Sequence, residues 1–202
     1  MSELGEGRKS MYDETDKLNQ SEKILLAASK CISSKGYANV SLRDIADEAG
    51  VVLSQLNYYF KNKEGLFTEV VKMMIGKYLR EIEESLKVEV SPKERVVSLI
   101  KYFRRLLKYN PELFKLLYDF TGLALWSPAF SSLLSDLFKD VSKMIEKYIL
   151  NNLQMKELKG YSPKSLSRLI LGAMFGTAIQ VLLDNEEEDL PEALNAMQIL
   201  FE

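Results

Sequence analysis

Residues 41–60 read SLRDIADEAGVVLSQLNYYF, and this stretch decides the fold of the N-terminal part of the chain. Apolar residues recur at i, i+3, i+4 and i+7 over residues 42–49, which is the spacing of one helix face. Gly50 follows where the chain must turn sharply, since glycine tolerates a positive φ that other residues avoid. A second short helix is predicted over residues 53–60. The pattern is typical of a helix-turn-helix, whose second helix lies on the surface and can enter a major groove.

The segment before this motif predicts one more helix, so that three helices form an N-terminal unit. Ser21 is its expected N-cap, apolar residues recur every four positions from Ile24 to Ile32, and Gly36 ends it. The small core expected to hold the helix-turn-helix together consists of Leu42, Ile45, Ala49, Val51, Leu56 and Phe60.

The remainder of the sequence also has a helical period, and Ser-Pro or Asn-Pro pairs punctuate it. Proline fits the first turn of a helix because its missing N–H has no intrahelical partner there. The predicted helices cover residues 64–87, 92–109, 111–126, 128–156 and 163–185, and a last helix follows Pro191. The predicted fold is all-α with about nine helices: an N-terminal three-helix unit that contains the helix-turn-helix, and a C-terminal helical bundle.

Three segments are expected along the chain, with a domain boundary inside the helix that begins near Glu64. Residues 1–19 are polar and predict a disordered N-terminal arm. Residues 20–65 are expected to form the helix-turn-helix DNA-binding domain, and residues 66–202 a second helical domain.

Composition excludes several classes of function. The 202 residues include no histidine, so neither a Ser-His-Asp triad nor a His-ligated metal site can form. The single cysteine excludes an internal disulfide. The polar N-terminus lacks a secretory signal, and the apolar stretch over residues 169–183 is shorter than the roughly 20 residues of a membrane span. We expect a cytoplasmic protein that is not an enzyme and has no catalytic residue, no metal and no cofactor.

Residues 24–66 carry further short motifs in order and without a gap. They are Ile24-Leu25, Ala27-Ala28, Lys35-Gly36-Tyr37, Ser41-Leu42-Arg43-Asp44-Ile45-Ala46, Ala49-Gly50-Val51, Tyr59-Phe60 and Lys63-Glu64-Gly65-Leu66. Together they resemble the TetR family of bacterial transcriptional regulators. The resemblance implies a homodimer that binds a palindromic operator in double-stranded DNA. It also implies that residues 66–202 form the effector-binding and dimerisation domain, and that a small molecule entering this domain releases the DNA.

Carried over position by position, the resemblance implies which residues face DNA: Ser41, Arg43, Leu53, Ser54, Gln55, Asn57, Tyr59 and Lys63. Gln and Asn can pair with adenine edges and Arg with guanine. Tyr59 and Lys63 suit phosphate oxygens, which position a protein on DNA without specifying sequence. Two residues depart from the family. Val52 stands where a capping Ser or Asn is usual, so Ser54 is expected to cap a later helix start. Asn57 stands where Tyr is frequent.

The C-terminal part predicts an effector cavity lined by apolar and aromatic side chains, as most ligand pockets are. The residues assigned to it are Phe103, Leu107, Tyr118, Phe120, Trp126, Met144 and Phe175. Taken singly, each of these at helical spacing is more often a core residue than a pocket residue.

The predicted dimer interface centres on two glycines one helical turn apart, since such a pair lets another helix approach closely. Its assigned residues are Gly172, Phe175, Gly176, Ile179, Leu194, Met197 and Phe201. Pairing these two helices with their copies in a second subunit would make a four-helix interface.

The function expected is that of a ligand-responsive repressor released from its operator by a small, mainly apolar effector. One alternative is a helical dimeric interaction module that has lost sequence-specific DNA binding, which the departures at Val52 and Asn57 would favour. A helical enzyme is the other alternative. The sequence lacks an HExxH motif and a glycine-rich phosphate loop that would support it.

Overall fold

The computed structural model describes residues 19–88, 91–153, 160–184 and 190–196. Within these residues the chain is all-α and contains no strand, which confirms the predicted fold class. The predicted N-terminal arm lies outside the described residues except for Asn19. The helices are α1 (Gln20–Lys35), α2 (Leu42–Ala49), α3 (Leu53–Tyr59), α4 (Lys63–Val88), α5 (Pro92–Tyr109), α6 (Pro111–Ala124), α7 (Pro128–Tyr148), α8 (Pro163–Leu183) and α9 (Leu190–Ala196).

The chain divides into two compact units. The first ends at Lys72 and the second begins at Met73, so the division falls inside α4. The first unit therefore holds α1, α2, α3 and the start of α4. The second holds the rest of α4 and the helices that follow it.

The N-cap of the first helix lies two residues before the predicted one. Asn19, not Ser21, is the N-cap of α1. The Asn19 side chain accepts a hydrogen bond from the Glu22 amide, and the Glu22 carboxylate accepts one from the Asn19 amide, both at 2.9 Å. This reciprocal capping box satisfies two amides that the first turn leaves without partners, whereas a cap at Ser21 would forgo it.

The helix-turn-helix is closed as the sequence predicts. Gly50 ends α2 in the left-handed region, with φ 67° and ψ 33°, and its amide bonds back to the carbonyls of Ala46 and Asp47. Of the expected core residues, Ile45, Leu56 and Phe60 are buried, and the other three are half-buried. After this turn, α3 therefore packs against α2, with the apolar side of α3 facing the core.

The core of the second unit is assembled from α4, α5, α7, α8 and α9. Ile145 on α7 and Leu194 on α9 are fully buried in one cluster with residues from the other three helices. A smaller cluster joins Leu107, Phe114 and Ala178. The Ser167 hydroxyl on α8 donates to the Glu146 carboxylate on α7 at 3.1 Å, so that this buried polar group has a partner.

Helix α7 is shorter than predicted, ending at Tyr148 rather than at residue 156. The Asn152 side chain donates to the carbonyl of Lys147 at 3.2 Å and to that of Tyr148 at 3.3 Å. The Arg95 guanidinium also donates to the Tyr148 carbonyl, at 2.7 Å. Because side chains take these last carbonyls, the helix stops there and a short 3₁₀ turn, Leu150–Asn152, follows.

Helix α8 is longer than the apolar stretch read from the sequence. It covers 21 residues, and an 18-residue window within it has a mean hydropathy of 1.7, so it is long and apolar enough to cross a membrane. The helix was predicted over residues 163–185 and is present over Pro163–Leu183, so the apolar stretch of residues 169–183 is its C-terminal part. One such helix is weak evidence for a membrane span, since core helices meet the same test. Only 22% of that window is buried within the chain.

Candidate nucleic-acid interface and ligand-binding region

The recognition helix of the motif is α3, and one of its side chains is buried in the core of the first unit. Leu56 is fully buried, while Leu53 and Gln55 are half-buried. The exposed side chains of α3 are Ser54, Asn57, Tyr58 and Tyr59. They form a continuous outer face of polar and aromatic groups, which are the kinds of group that read base edges and contact phosphates.

Val52 begins α3 without a side-chain cap. Its own carbonyl accepts from the amides of Gln55 at 2.9 Å and Leu56 at 3.2 Å, so the first turn closes on the backbone alone. The prediction that Ser54 caps a later start is therefore wrong. The Val52 side chain is 67% exposed, at the tip where the helix begins.

Ser41 and Arg43 differ in how much of their side chain is engaged. The Ser41 hydroxyl caps α2, accepting from the Asp44 amide at 3.1 Å and donating to the Asp44 carboxylate. These hydrogen bonds from Ser41 lower the pKa of the Asp44 carboxyl. Arg43 is exposed and makes no ion pair within the part of the chain that the structure describes. Of the two, Arg43 therefore offers the freer donor group.

Gln55 is partly engaged inside the unit. Its side-chain amide donates to the side-chain oxygen of Gln20 on α1. To pair with a base edge, Gln55 would have to exchange this contact or use its own oxygen. Asn57, two residues further on, is exposed and available.

Lys63, at the start of α4, lies over an aromatic ring. Its Nζ is 4.4 Å from the centroid of Tyr37, which in turn contacts Phe67 with centroids 4.5 Å apart. Burial lowers the pKa of Lys63, and the nearby Asp44 carboxylate opposes that shift. The cation–π contact with this ring fixes the position of the ammonium group at the start of α4.

Sequence reasoning missed two aromatic residues of this region. Tyr58 is 83% exposed and meets Tyr59 edge to face, with centroids 5.2 Å apart. A helical-wheel projection would have found it, since Tyr58 lies about 200° from the buried Leu56 at 100° per residue. Tyr37 was quoted only as part of a motif, and nothing in the local sequence indicates that it supports Lys63.

The residues predicted to line an effector cavity are spread over the second unit. Tyr118 contacts Phe175, with centroids 4.5 Å apart, and its hydroxyl donates to the Phe175 carbonyl at 2.5 Å. Phe103 packs edge to face on Phe114, and Leu107 joins the same small cluster.

The other three predicted cavity residues lie elsewhere. Phe120 is a core residue against Phe130, and Met144 packs on the main core. Trp126 is 89% exposed, because α6 ends at Ala124 and the chain leaves the core there. The prediction that Trp126 lines an internal cavity is wrong for this chain.

A cleft of about 330 Å³ lies between α7 and α8, and it was not predicted from the sequence. Phe175 is the one predicted effector residue that lines it. The lining residues are Ser135, Phe138, Lys139, Ser142, Arg168, Leu171, Gly172 and Phe175.

The residues predicted to form a dimer interface fall into four groups. Around Gly172 and Gly176 an added Cβ would meet nothing within 4 Å, so that side of α8 is open. Phe175 and Ile179 are half-buried. Leu194 is fully buried in the core of its own unit, so its assignment to an interface was wrong. Met197 and Phe201 lie outside the described residues.

The chain combines a helix-turn-helix, whose recognition helix is exposed, with a second helical unit. This combination is typical of DNA-binding regulators. Residues 24–70 match the family model described as bacterial regulatory proteins, tetR family. The N-terminal domain of the chain belongs to the TetR family of transcriptional regulators.

Relatives extend the likeness along most of the chain. It is 23% identical over 175 residues to the fatty acid metabolism regulator protein of Bacillus subtilis, covering 86% of this chain and 89% of that protein. Seven further regulators align over 38–46% of their own length.

Two solved structures share the fold. A TetR transcription regulator from Haloarcula marismortui superposes with a TM-score of 0.76 at 21% identity, over 90% of this chain and 96% of that one. FadR from Bacillus subtilis in complex with stearoyl-CoA superposes with a TM-score of 0.73 at 23% identity, over 89% and 96%.

Proposed function

We propose that this regulator is a cytoplasmic repressor that binds a palindromic operator as a homodimer and leaves it when a small, mainly apolar effector binds. The proposal rests on the outer face of α3, since Leu56 is buried on the inner side of this helix. The exposed residues of that outer face are Ser54, Asn57, Tyr58 and Tyr59. Gly50 sets the angle at which that face is presented.

The contacts to DNA divide by chemistry. Asn57 and Arg43 are exposed and carry the donors and acceptors that discriminate adenine and guanine edges. Tyr59 and Lys63 are assigned to phosphates, and Lys61 is a further exposed cation beside them. With so few cations in each subunit, we expect a modest dependence of DNA affinity on salt.

Dimerisation is assigned to α8, whose outer side carries small and apolar residues along its length. They are Leu169, Gly172, Ala173, Gly176 and Leu183, with Gln180 among them. Leu169 is 58% and Leu183 81% exposed in the single chain. Exposed apolar surface of this extent on one helix is typical of an interface, and the glycines allow close approach of a partner helix.

The effector is assigned to the second unit. The likeness to a FadR solved with stearoyl-CoA, and to a regulator of fatty acid metabolism, supports a long-chain acyl thioester as the first candidate. The aromatic contacts around Phe175 supply an apolar surface for such a chain.

Release is proposed to follow from a population shift. Two recognition helices can enter consecutive major grooves only when they are about 34–36 Å apart. An effector that binds better to a dimer with another spacing lowers the DNA affinity. Thermodynamic reciprocity then requires DNA to lower effector affinity by the same factor. Isothermal titration of effector into free and DNA-bound protein tests this, and equal effector affinities for the two forms would contradict the mechanism.

The first experiment is selection of tightly bound duplexes from random DNA with the purified full chain. We expect an inverted repeat. Arg43→Ala should then weaken binding by about 5- to 150-fold, the range of about 1–3 kcal/mol for one base contact. Lys63→Ala should weaken all sequences alike and reduce the salt dependence by about one phosphate contact. Lys101→Ala, which removes an exposed charge from α5, is the matched control.

A folded dimer that enriches no sequence would contradict the repressor and favour the interaction module. Equal affinities of Arg43→Ala and Lys101→Ala would contradict the assignment of Arg43 to the DNA.

A further inference from the structure

The cleft between α7 and α8 combines an apolar floor with a cationic rim. Phe138, Leu171 and Phe175 supply most of the apolar lining, and the rings of Phe138 and Phe175 lie 5.7 Å apart, edge to face. Its volume of about 330 Å³ is at the lower end of the roughly 300–1,000 Å³ of small-molecule sites. A slender apolar chain suits this space better than a bulky ring system.

The rim carries one cation that nothing in the described part of the chain neutralises. Lys139 is paired with Asp136 at 3.0 Å. Arg168, on the opposite side, is exposed and has neither an ion pair nor a hydrogen bond from its side chain to another described residue. A guanidinium can hold a carboxylate or a phosphate through two parallel hydrogen bonds. The charge at this rim is therefore complementary to an anionic group.

The cleft also adjoins the proposed dimer surface. On α8 its lining residues Arg168, Leu171, Gly172 and Phe175 follow the i, i+3, i+4, i+7 spacing of one face. The exposed surface of α8 that we assign to dimerisation also includes Gly172, so the cleft and the dimerisation surface meet at this residue. A ligand in the cleft would lie beside the partner subunit, where it can bias how the two copies pack.

We propose that this cleft binds an anionic amphiphile, with its chain on Phe138, Leu171 and Phe175 and its carboxylate or phosphate on Arg168. The proposal rests on the proposed function, in which the second unit binds an apolar effector, and it names a site and a head-group chemistry for that effector. The cleft takes the place of the cavity predicted from the sequence, of which only Phe175 remains.

The test is calorimetric titration of the full-length protein with three ten-carbon probes: decanoate, decyl phosphate and the neutral decanol. We expect at least one anion to bind at least tenfold more tightly than decanol. Binding of decanoate alone identifies a carboxylate ligand, binding of decyl phosphate alone a phosphate ligand, and both outcomes support the proposal. Arg168→Ala should remove the preference for anions, while Lys101→Ala, the same change of charge on α5, should retain it.

A second variant, on α7, tests the apolar floor of the cleft and leaves the exposed surface of α8 unchanged. Ser142 is buried at the cleft on α7, so Ser142→Leu should fill the space and weaken all three probes at least fivefold. Circular dichroism and operator binding check that this variant remains folded. If it does not fold, the Arg168 comparison alone decides.

Three results would overturn the proposal: decanol binding as tightly as both anions, Arg168→Ala keeping the wild-type preference, or no probe binding to a protein that binds its operator. In each case the DNA-binding function would stand. A wild-type chain that binds amphiphiles but no operator would overturn the repressor and leave the cleft site intact.

Discussion

Both units cap helix starts with residues three apart in sequence, but the side-chain contacts between helices reach up to 35 residues along the chain in the first unit and up to 91 in the second. In the first unit the helix starts are set by residues three apart in sequence: Asn19 with Glu22 on α1, and Ser41 with Asp44 on α2. The turn that follows depends on the backbone of Gly50. Each of these devices works within one turn of chain, so few residues define the geometry of the whole motif.

In the second unit the helices are tied by side chains that are far apart in sequence. Tyr102 on α5 donates to Glu81 on α4 at 2.7 Å, and Tyr148 on α7 donates to Glu83 on α4 at 2.6 Å. These pairs are separated by 21 and 65 residues. Each of these contacts forms only when two distant parts of the chain pack together.

The largest loss of stability is expected from removing the buried side chain that packs α3 into the first unit. Leu56→Ala removes the fully buried side chain that fastens α3 and should lower the free energy of unfolding by about 2–5 kcal/mol. Operator binding should be lost, while amide exchange in the second unit stays unchanged. Urea unfolding and hydrogen exchange measure both. Leu26→Ala, at a leucine that is 46% exposed on α1, is the control and should cost far less. Equal losses would mean that α3 is held by other contacts.

The same glycine-to-alanine substitution, made once in each unit, compares the backbone conformations of the two units. Gly50 has a φ of 67°, and an added Cβ would meet nothing within 4 Å, so Gly50→Ala should cost about 1–2 kcal/mol from backbone conformation alone. Gly122 lies in α6, also with open space around it, and Gly122→Ala should stabilise by about 0.5–1 kcal/mol. Urea unfolding of the two variants should give opposite signs, and equal signs would contradict the left-handed turn.

The smallest effect concerns a long-range contact of the second unit. Tyr118→Phe deletes the hydrogen bond to the Phe175 carbonyl and should cost about 0.5–1.5 kcal/mol. Burial raises the pKa of Tyr118 to about 12. Above an unfolded-state pKa near 10, the unfolded chain loses this proton first, so stability should fall between about pH 10 and pH 12.

The fall should be less steep in Tyr118→Phe than in the wild type. Burial and the Glu81 carboxylate also raise the pKa of Tyr102, so part of the alkaline loss should persist in the variant. Tyr109→Phe, at a side chain that is 74% exposed, is the control for removing a hydroxyl. Identical slopes in all three proteins would contradict the burial of Tyr118.

Predictions from the sequence succeeded where glycine or proline determines the backbone, missed the local caps of α1 and α3, and failed for contacts between distant residues. The turn at Gly50 and the helix starts at Pro92, Pro111 and Pro128 follow from the conformations that glycine and proline allow, and the structure has each of them. The end of α7 was missed because it depends on Arg95, which is 53 residues away from the carbonyl it contacts.

The candidate site shows the same limit. Asn57 and Arg43 could be assigned to an outer surface because the period of a short helix determines which side faces inward. The bond from Gln55 to Gln20 and the ring beneath Lys63 join residues from separate helices, so no local pattern indicates them.

By itself the sequence determined the all-α class, the helix-turn-helix and the exposed face of its second helix. Helical period, glycine at a positive φ and proline at a first turn are properties of a few neighbouring residues. Only the tertiary structure decided that Leu194 is core, that Trp126 is exposed and that a cleft beside Arg168 exists. Burial and cavities depend on which distant helices pack together, and that packing is a property of the whole chain.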